Sequence, residues 1–238
     1  TTLCGTDLYG KKSLPELLER LSQIEELRWI RILYCYPEEI DDTFLDAVSR
    51  LPKVCNYLDI PIQHAANDVL KRMGRRTTKQ ELTETIKRLR EKIPGIVLRT
   101  TLITGFPGER EEDFQELKEF VREMRFDRLG VFAYSQEEDT PAAEMEDQIP
   151  QKVKEDRRDE IMQIQQEIAF EKSRSHIGEE FDVMVEGKLP EEGVYITRSY
   201  MDAPDVDGYV FVSTGWNLMS GDFLRVKITG ADEYDLIG

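Results

Sequence analysis

Apolar positions along the first three quarters of the chain switch repeatedly between a helical period and short continuous runs. Leu14, Leu17, Leu18 and Leu21 recur at helical spacing, and the run at 29–36 reads as a strand stopped by Pro37. The alternation continues with helix 44–51, strand 54–62, helices 67–73 and 79–92, strand 96–104, helix 111–124 and strand 128–135. These strands are apolar on both faces, the pattern of a parallel sheet covered by helices. Repeated βα units imply right-handed crossovers and a closed or partial barrel. Ile149-Pro150 opens a long helix to about residue 173. Val153, Ile161, Ile164 and Ile168 are expected on its apolar side, and its charged face in solvent. After His176-Ile177-Gly178 the grammar changes. Stretches at 181–185, 194–200, 209–213 and 223–228 alternate or cluster β-formers between Gly, Pro and Asp turns. We therefore read two domains. Residues 1–175 form an α/β core with the look of a partial TIM-type barrel, and residues 176–238 a small antiparallel barrel or sandwich.

Charge changes this picture more than size does. The 238 residues carry a net −16, and from His176 to Gly238 thirteen Asp/Glu stand against four Lys/Arg, a net −9. Such a potential repels phosphates, whereas nucleic-acid binders present a basic face. The C-terminal domain wants a cationic partner. No apolar run approaches the roughly 18 to 20 residues of a membrane helix, and the start lacks a signal-peptide pattern, so we expect a cytoplasmic protein with no membrane partner. Cys4, Cys35 and Cys55 are odd in number and far apart, which argues against a disulfide framework and against a self-contained metal cage. The chain opens Thr1-Thr2-Leu3 with a strand that reads as cut short, and four strands cannot close a TIM-type barrel. We expect an N-terminal region before Thr1.

Two βα turns collect the chemistry. In Thr104-Gly105-Phe106-Pro107-Gly108-Glu109 a glycine just beyond a strand lets a ligand approach the backbone, and the following helix start offers free amides to a carboxylate or phosphate. Glu109 could cap that helix or receive an amino group. The plainer reading is a tight turn needing two glycines and a capping acid. In Asp59-Ile60-Pro61-Ile62-Gln63-His64 the proline fixes the backbone before two polar side chains at a strand mouth. An amide there can bind ribose hydroxyls, and an imidazole can bind substrate or move a proton, although a hydrogen-bonded structural histidine is the commoner occupant. Arg75, Arg76 and Arg99 could supply fork donors to a carboxylate or make ordinary ion pairs. Cys35 reads as a buried thiol rather than a nucleophile.

Taken together, residues 59–78, residues 98–114 and the string Val131-Phe132-Ala133-Tyr134-Ser135-Gln136-Glu137-Glu138-Asp139-Thr140-Pro141-Ala142-Ala143 resemble the radical S-adenosylmethionine methylthiotransferases. The C-terminal domain is similar to their TRAM domain, a small OB-like β-barrel. Glu137-Glu138-Asp139-Thr140-Pro141 and Ser199-Tyr200-Met201-Asp202-Ala203-Pro204-Asp205-Val206-Asp207-Gly208 resemble the branch that modifies an aspartate of a small-subunit ribosomal protein. The resemblance implies a partial radical S-adenosylmethionine barrel whose 4Fe-4S cluster, held by a CxxxCxxC loop, cleaves S-adenosylmethionine to a 5′-deoxyadenosyl radical that abstracts hydrogen from the aspartate β-carbon. It implies a second cluster for sulfur insertion, a second S-adenosylmethionine as methyl donor, and an electron donor. No CxxxCxxC occurs among Cys4, Cys35 and Cys55, so that loop is expected upstream of Thr1, and this chain alone is expected to be inactive. By the same resemblance Gln63, Thr104 and Gly105 would face the ribose and methionyl group, and backbone at Phe132, Ala133 and Tyr134 the adenine. Arg99 is assigned to the cofactor, and His64 and Arg75 to the substrate.

The rival within the family modifies tRNA adenosine, and a non-catalytic acidic module docking a basic ribosomal protein is the alternative of another class. An OB-like module that holds RNA needs a cationic groove with stacking aromatics. Here aromatics are present and the groove is not. An acidic barrel instead steers a basic ribosomal protein, with an on-rate that falls as salt rises.

Overall fold

The computed structural model describes residues 1–190 and 193–238, which divide into two compact units, Thr1–Gln166 and Glu167–Gly238. In the first unit four parallel strands run in the order β1 (Ile30–Ile32), β2 (Val54–Asp59), β3 (Val97–Thr104) and β4 (Arg128–Ala133). Helices α1 (Thr6–Tyr9) and α2 (Leu14–Ser22) precede β1, α3 (Asp42–Arg50) precedes β2, α4 (Asn67–Arg72) and α5 (Lys79–Lys92) precede β3, and α6 (Glu111–Met124) precedes β4. The α/β alternation is therefore as the periodicity predicts. The chain start differs: in place of a shortened strand it makes a turn and the four-residue α1, because Gly5 and Gly10 both adopt left-handed backbone around it. The strand at 29–36 shrinks to three residues. Tyr34 sits at φ 59 and Pro37 opens a 3-10 turn, so the backbone leaves the ladder early.

Capping is explicit in α5, where Thr78 Oγ1 accepts from Glu81 N–H and the Glu81 carboxylate accepts from Thr78 N–H, a reciprocal box that starts the helix at Lys79. The core gathers around Tyr57, Leu58, Leu70, Leu82, Leu89, Leu98, Leu102 and Phe120, all 1% exposed or less. In β3 burial alternates. Thr100, Leu102 and Thr104 are buried, while Arg99, Thr101 and Ile103 sit half-exposed on the other face. That second face carries Arg99 and Thr101, which line a cavity at the strand ends.

The long helix α7 (Gln151–Ser175) corrects one expectation. Val153 is exposed, and the buried line is Lys154, Arg157, Ile161, Ile164 and Ile168 at spacings of three and four. Two cations thus occupy the N-terminal end of a buried face that continues with Ile161, Ile164 and Ile168. Their reason is found at the β3 strand end.

The second unit is one six-stranded sheet, ordered β8 (Phe223–Lys227), β5 (Glu180–Leu189), β6 (Val194–Ser199), β7 (Val210–Ser213), β10 (Asp235–Ile237) and β9 (Gly230–Asp232). It is mixed rather than purely antiparallel, since β7 and β10 pair in parallel. Alternation in β6 buries Tyr195, Thr197 and Ser199. Thr197 Oγ1 donates to Val210 O at 2.6 Å, so its buried hydroxyl has a partner. The Ser199–Gly208 string is a turn stitched by its own acids: Ser199 Oγ donates to Asp202 Oδ2 at 2.9 Å, and Ala203 N–H to Asp207 Oδ2 at 2.8 Å.

Candidate active site

The C-terminal ends of β1 to β4 open onto a cavity of about 470 Å³ lined by Tyr34, Cys35, Tyr36, Pro61, Gln63, Arg75, Arg99, Thr101, Phe132 and Thr1. This size is ordinary for a small-molecule site. The fold therefore brings together Gln63, Arg75, Arg99 and Phe132 from loops and strands that lie up to about seventy residues apart in sequence.

Gln63 earns its place through the backbone. Its N–H donates to Thr101 O at 2.9 Å and its O accepts from Ile103 N–H at 2.8 Å, which extends the β2–β3 pairing past the strand end. Those bonds hold it at φ 70, a left-handed conformation that costs a side-chain-bearing residue roughly 1–3 kcal/mol. Tyr34, on the facing loop at φ 59, is held likewise by Asp59, whose Oδ2 accepts its N–H at 3.4 Å. Two residues with left-handed backbone thus face one cavity, which makes it the candidate site, and among the described residues the side-chain amide of Gln63 has no hydrogen-bond partner. Arg99 reaches Asp59 at 3.0 Å, an ion pair with Asp59 almost fully buried, so its guanidinium is fixed in direction at the cavity floor. Arg75 lies over the Tyr36 ring at 5.8 Å. Phe132 is 61% exposed, a large apolar face turned to the opening. Arg76 is exposed on the surface beside this set and does not line the cavity.

Thr104, Gly105, Ala133, Tyr134 and His64 stand elsewhere. Gly105 does allow a close approach, but by protein: a Cβ there would lie 2.3 Å from Lys154 Cγ and 2.8 Å from its Cβ. Thr104 Oγ1 donates to Lys154 O at 3.0 Å, and Lys154 Nζ donates to Tyr134 O at 3.1 Å. Desolvation holds the Lys154 ammonium below the usual lysine range. The strand ends of β3 and β4 are thus clamped by the first turns of α7. Ala133 is half-buried and pairs with Thr104, and the Tyr134 ring packs edge-on against Phe106 at 5.3 Å.

His64 is 0% exposed. Its Nδ1 accepts from Ala66 N–H at 3.0 Å, which puts the ring proton on Nε2, and Nε2 faces Glu109 Oε2 at 3.4 Å without hydrogen-bond alignment. Glu109 also neither meets solvent nor waits for an amino group. Its Oε2 accepts from Gly105 N–H at 2.8 Å and its Oε1 from Arg157 Nη1 at 2.7 Å, while Arg157 Nη2 reaches Glu111 at 3.2 Å. Gly108 makes room for Arg72, whose Nε donates to Pro107 O at 2.9 Å. The Thr104–Glu109 string is therefore a buried electrostatic knot that shapes the cavity rim from behind. The plainer of the two sequence readings describes it better, with Lys154 and Arg157 as partners the sequence did not reveal.

Cys35 is buried, and desolvation, reinforced by the nearby Asp59 carboxylate, pushes its thiol up to about 12. Alkylation of the native protein at mildly alkaline pH is expected to modify the partly exposed Cys4 and to spare Cys35 and Cys55 until denaturant is added; peptide mass mapping checks this. Among the described residues no three His, Cys, Asp or Glu gather to hold a metal, so these side chains do not fit an iron–sulfur cluster. They do fit a nucleoside with a charged tail: an unpartnered amide, two guanidinium groups and an apolar ring share one opening.

A parallel βα sheet with polar groups at its strand mouths is the class of α/β fold in which barrel enzymes place their sites. Residues 3–121 match the Radical SAM superfamily and residues 177–238 the TRAM domain, and the chain belongs to the radical SAM superfamily. Its curated relatives include proteins named ribosomal protein uS12 methylthiotransferase RimO, 62% identical over all 238 residues in Lachnoclostridium phytofermentans and 50% identical in Desulfitobacterium hafniense and Caldanaerobacter subterraneus. The chain covers 54%, 53% and 54% of those proteins, so it spans about half the length of the curated relatives it matches. Among solved structures, coproporphyrinogen III oxidase (HemN) from Escherichia coli, described as a radical SAM enzyme, aligns over 69% of this chain and 38% of its own at 23% identity, with a TM-score of 0.52; that likeness concerns the fold. No described helix is long and apolar enough to cross a membrane.

Proposed function

We propose that the chain is the cofactor-cradling and substrate-docking part of a radical S-adenosylmethionine methylthiotransferase that places a methylthio group on the β-carbon of an aspartate in ribosomal protein uS12. The observation that carries this reading is the identity of 50–62% over all 238 residues with proteins of that name. Residues 1–175 would form the catalytic core and residues 176–238 the TRAM barrel.

When bound, S-adenosylmethionine supplies the hydrogen-abstracting chemistry, in partnership with an iron–sulfur cluster for which the described residues offer no set of thiolates. The residues here bind and orient. Gln63 offers an amide to the ribose hydroxyls. Arg99, aimed by Asp59, and Arg75 offer guanidinium donors to the methionyl carboxylate or to the substrate chain. The Phe132 face covers the adenine and excludes water, while Thr104, Gly105, Ala133 and Tyr134 contribute as the clamped strand ends that hold Phe132 in place. His64 supports the substrate side indirectly, through the backbone of the Gln63 loop. A purely binding module leaves the strain at Tyr34 and Gln63 with no task.

Replacing Gln63 by alanine removes the amide and keeps the backbone bonds that hold the loop. It is expected to weaken S-adenosylmethionine binding by about three- to tenfold with an unchanged unfolding transition, read by equilibrium binding to the reconstituted protein. The reaction itself is tested by anaerobic reconstitution of the complete gene product with a chemical reductant, followed by mass analysis of the ribosomal protein and of tRNA. A methylthio mass increase on the aspartate-bearing peptide is expected. The same increase on a tRNA nucleoside, with the protein unmodified, sinks the reading.

A further inference from the structure

The C-terminal unit presents an apolar tip that nothing in its own fold uses. In the loop 214–221, between β7 and β8, Trp216 is 69% exposed and Met219 71%. Large apolar side chains at such exposure are often mobile, but this loop is built rigidly. The buried Tyr195 hydroxyl donates to Trp216 O at 3.0 Å and accepts from Leu218 N–H at 3.1 Å. Thr214 Oγ1 accepts from Trp216 N–H at 3.2 Å, and Asp222 Oδ2 from Met219 N–H at 2.8 Å. Gly221 N–H donates to Val185 O at 2.8 Å, tying the loop to β5. The unit thus spends a fully buried tyrosine hydroxyl and an aspartate on fixing the backbone beneath two solvent-facing anchors. Preorganised aromatic and thioether anchors are what a binding hot spot needs, since little side-chain or loop entropy remains to be lost on docking.

Charge decides what docks. The residues from His176 to Gly238 carry a net −9, and the two arginines of that span already face carboxylates within it: Arg198 pairs with Glu186, and Arg225 with Glu180 at 3.5 Å and Asp182 at 3.4 Å. Lys188 lies over the Tyr195 ring at 5.0 Å. A single-stranded nucleic acid stacking on Trp216 would need a cationic groove to follow its backbone, and the arginines that could line one are neutralised. A polypeptide rich in lysine and arginine meets the opposite situation.

We propose that the loop 214–221 is the anchor by which the C-terminal unit grips a basic polypeptide, Trp216 and Met219 inserting into it while the net negative charge of residues 176–238 steers its approach; this rests on the reading that the substrate is a basic ribosomal protein. The test uses the complete, cluster-loaded protein and a variant carrying Trp216→Ala and Met219→Ala, titrated with the fluorescently labelled ribosomal protein and, separately, with tRNA. Reductive cleavage of S-adenosylmethionine without added polypeptide serves as the control for an intact core. The expected result is a loss of affinity for the ribosomal protein of roughly tenfold or more in the double variant, with cleavage unchanged. Equal affinity of both proteins for the ribosomal protein overturns the anchor and leaves the proposed function standing. Tighter binding of tRNA than of the ribosomal protein by the unaltered enzyme, lost in the variant, overturns both, and so does binding of neither.

Discussion

Replacing Glu109 by alanine is expected to destabilise the N-terminal unit by about 3–5 kcal/mol, the cost of leaving a buried charge without its partner. The carboxylate is fully buried and answers three groups at once: Gly105 N–H, the Arg157 guanidinium and the facing His64 ring. Its removal strands Arg157, whose side chain is 11% exposed and whose remaining carboxylate, Glu111, lies 3.2 Å away and largely in water. The Arg157 guanidinium also lies over the Phe114 ring at 5.1 Å and cannot turn outward without giving up that contact. Denaturant unfolding followed by far-UV circular dichroism measures the loss. Glu109→Gln, which keeps an acceptor for Gly105, is expected to lose less. A carboxylate that served only a ligand would give no change in either variant.

Gly105→Ala is expected to cost about 3 kcal/mol by a different route. At φ 71 an alanine carries left-handed strain of roughly 1–2 kcal/mol, and its methyl would sit 2.3 Å from Lys154 Cγ, 2.8 Å from Lys154 Cβ and 3.1 Å from Lys154 Cα. The first two atoms could move with the side chain. The Cα belongs to α7, so relief requires the helix to lift, and lifting it pulls Lys154 Nζ from Tyr134 O and Lys154 O from the Thr104 hydroxyl. The same substitution should therefore disturb the β4 strand end that carries Phe132. We expect a lowering of Tm by roughly 6–12 °C, seen by differential scanning calorimetry, together with weaker S-adenosylmethionine binding. A variant of full stability would show that the α7 clamp is dispensable.

The largest elements were plain in the sequence because their signals are local. The helix at 111–124 and the strand ending at Thr104 need only their own periodicity and the glycine after the strand. Legibility failed where a partner from elsewhere decides the outcome. Val153 reads as a core residue and Lys154 and Arg157 as solvent-facing, yet the burial is reversed, since Tyr134 O and Glu109, twenty and forty-eight residues away, supply the acceptors that make a buried cation tolerable. The strands β9 and β10 were missed for a related reason. At three residues each, Gly230–Asp232 and Asp235–Ile237 carry no period, and they extend only because β7 offers an edge for β10 to pair in parallel.

The candidate site divides along the same line. By itself the sequence determined the βα alternation, the position of the strand mouths, the acidic C-terminal quarter and the residue types that could meet a nucleoside with a charged tail. Only the tertiary structure decided which of them share one cavity. Gln63, Arg75, Arg99 and Phe132 do, because parallel strands put their C-terminal ends side by side, whereas His64, next to Gln63, and Thr104 and Gly105, at the end of the strand that carries Arg99, sit in packed protein. A strand alternates faces with each residue, so neighbours in sequence part company in space, and it is the pairing register across four strands that sorts them.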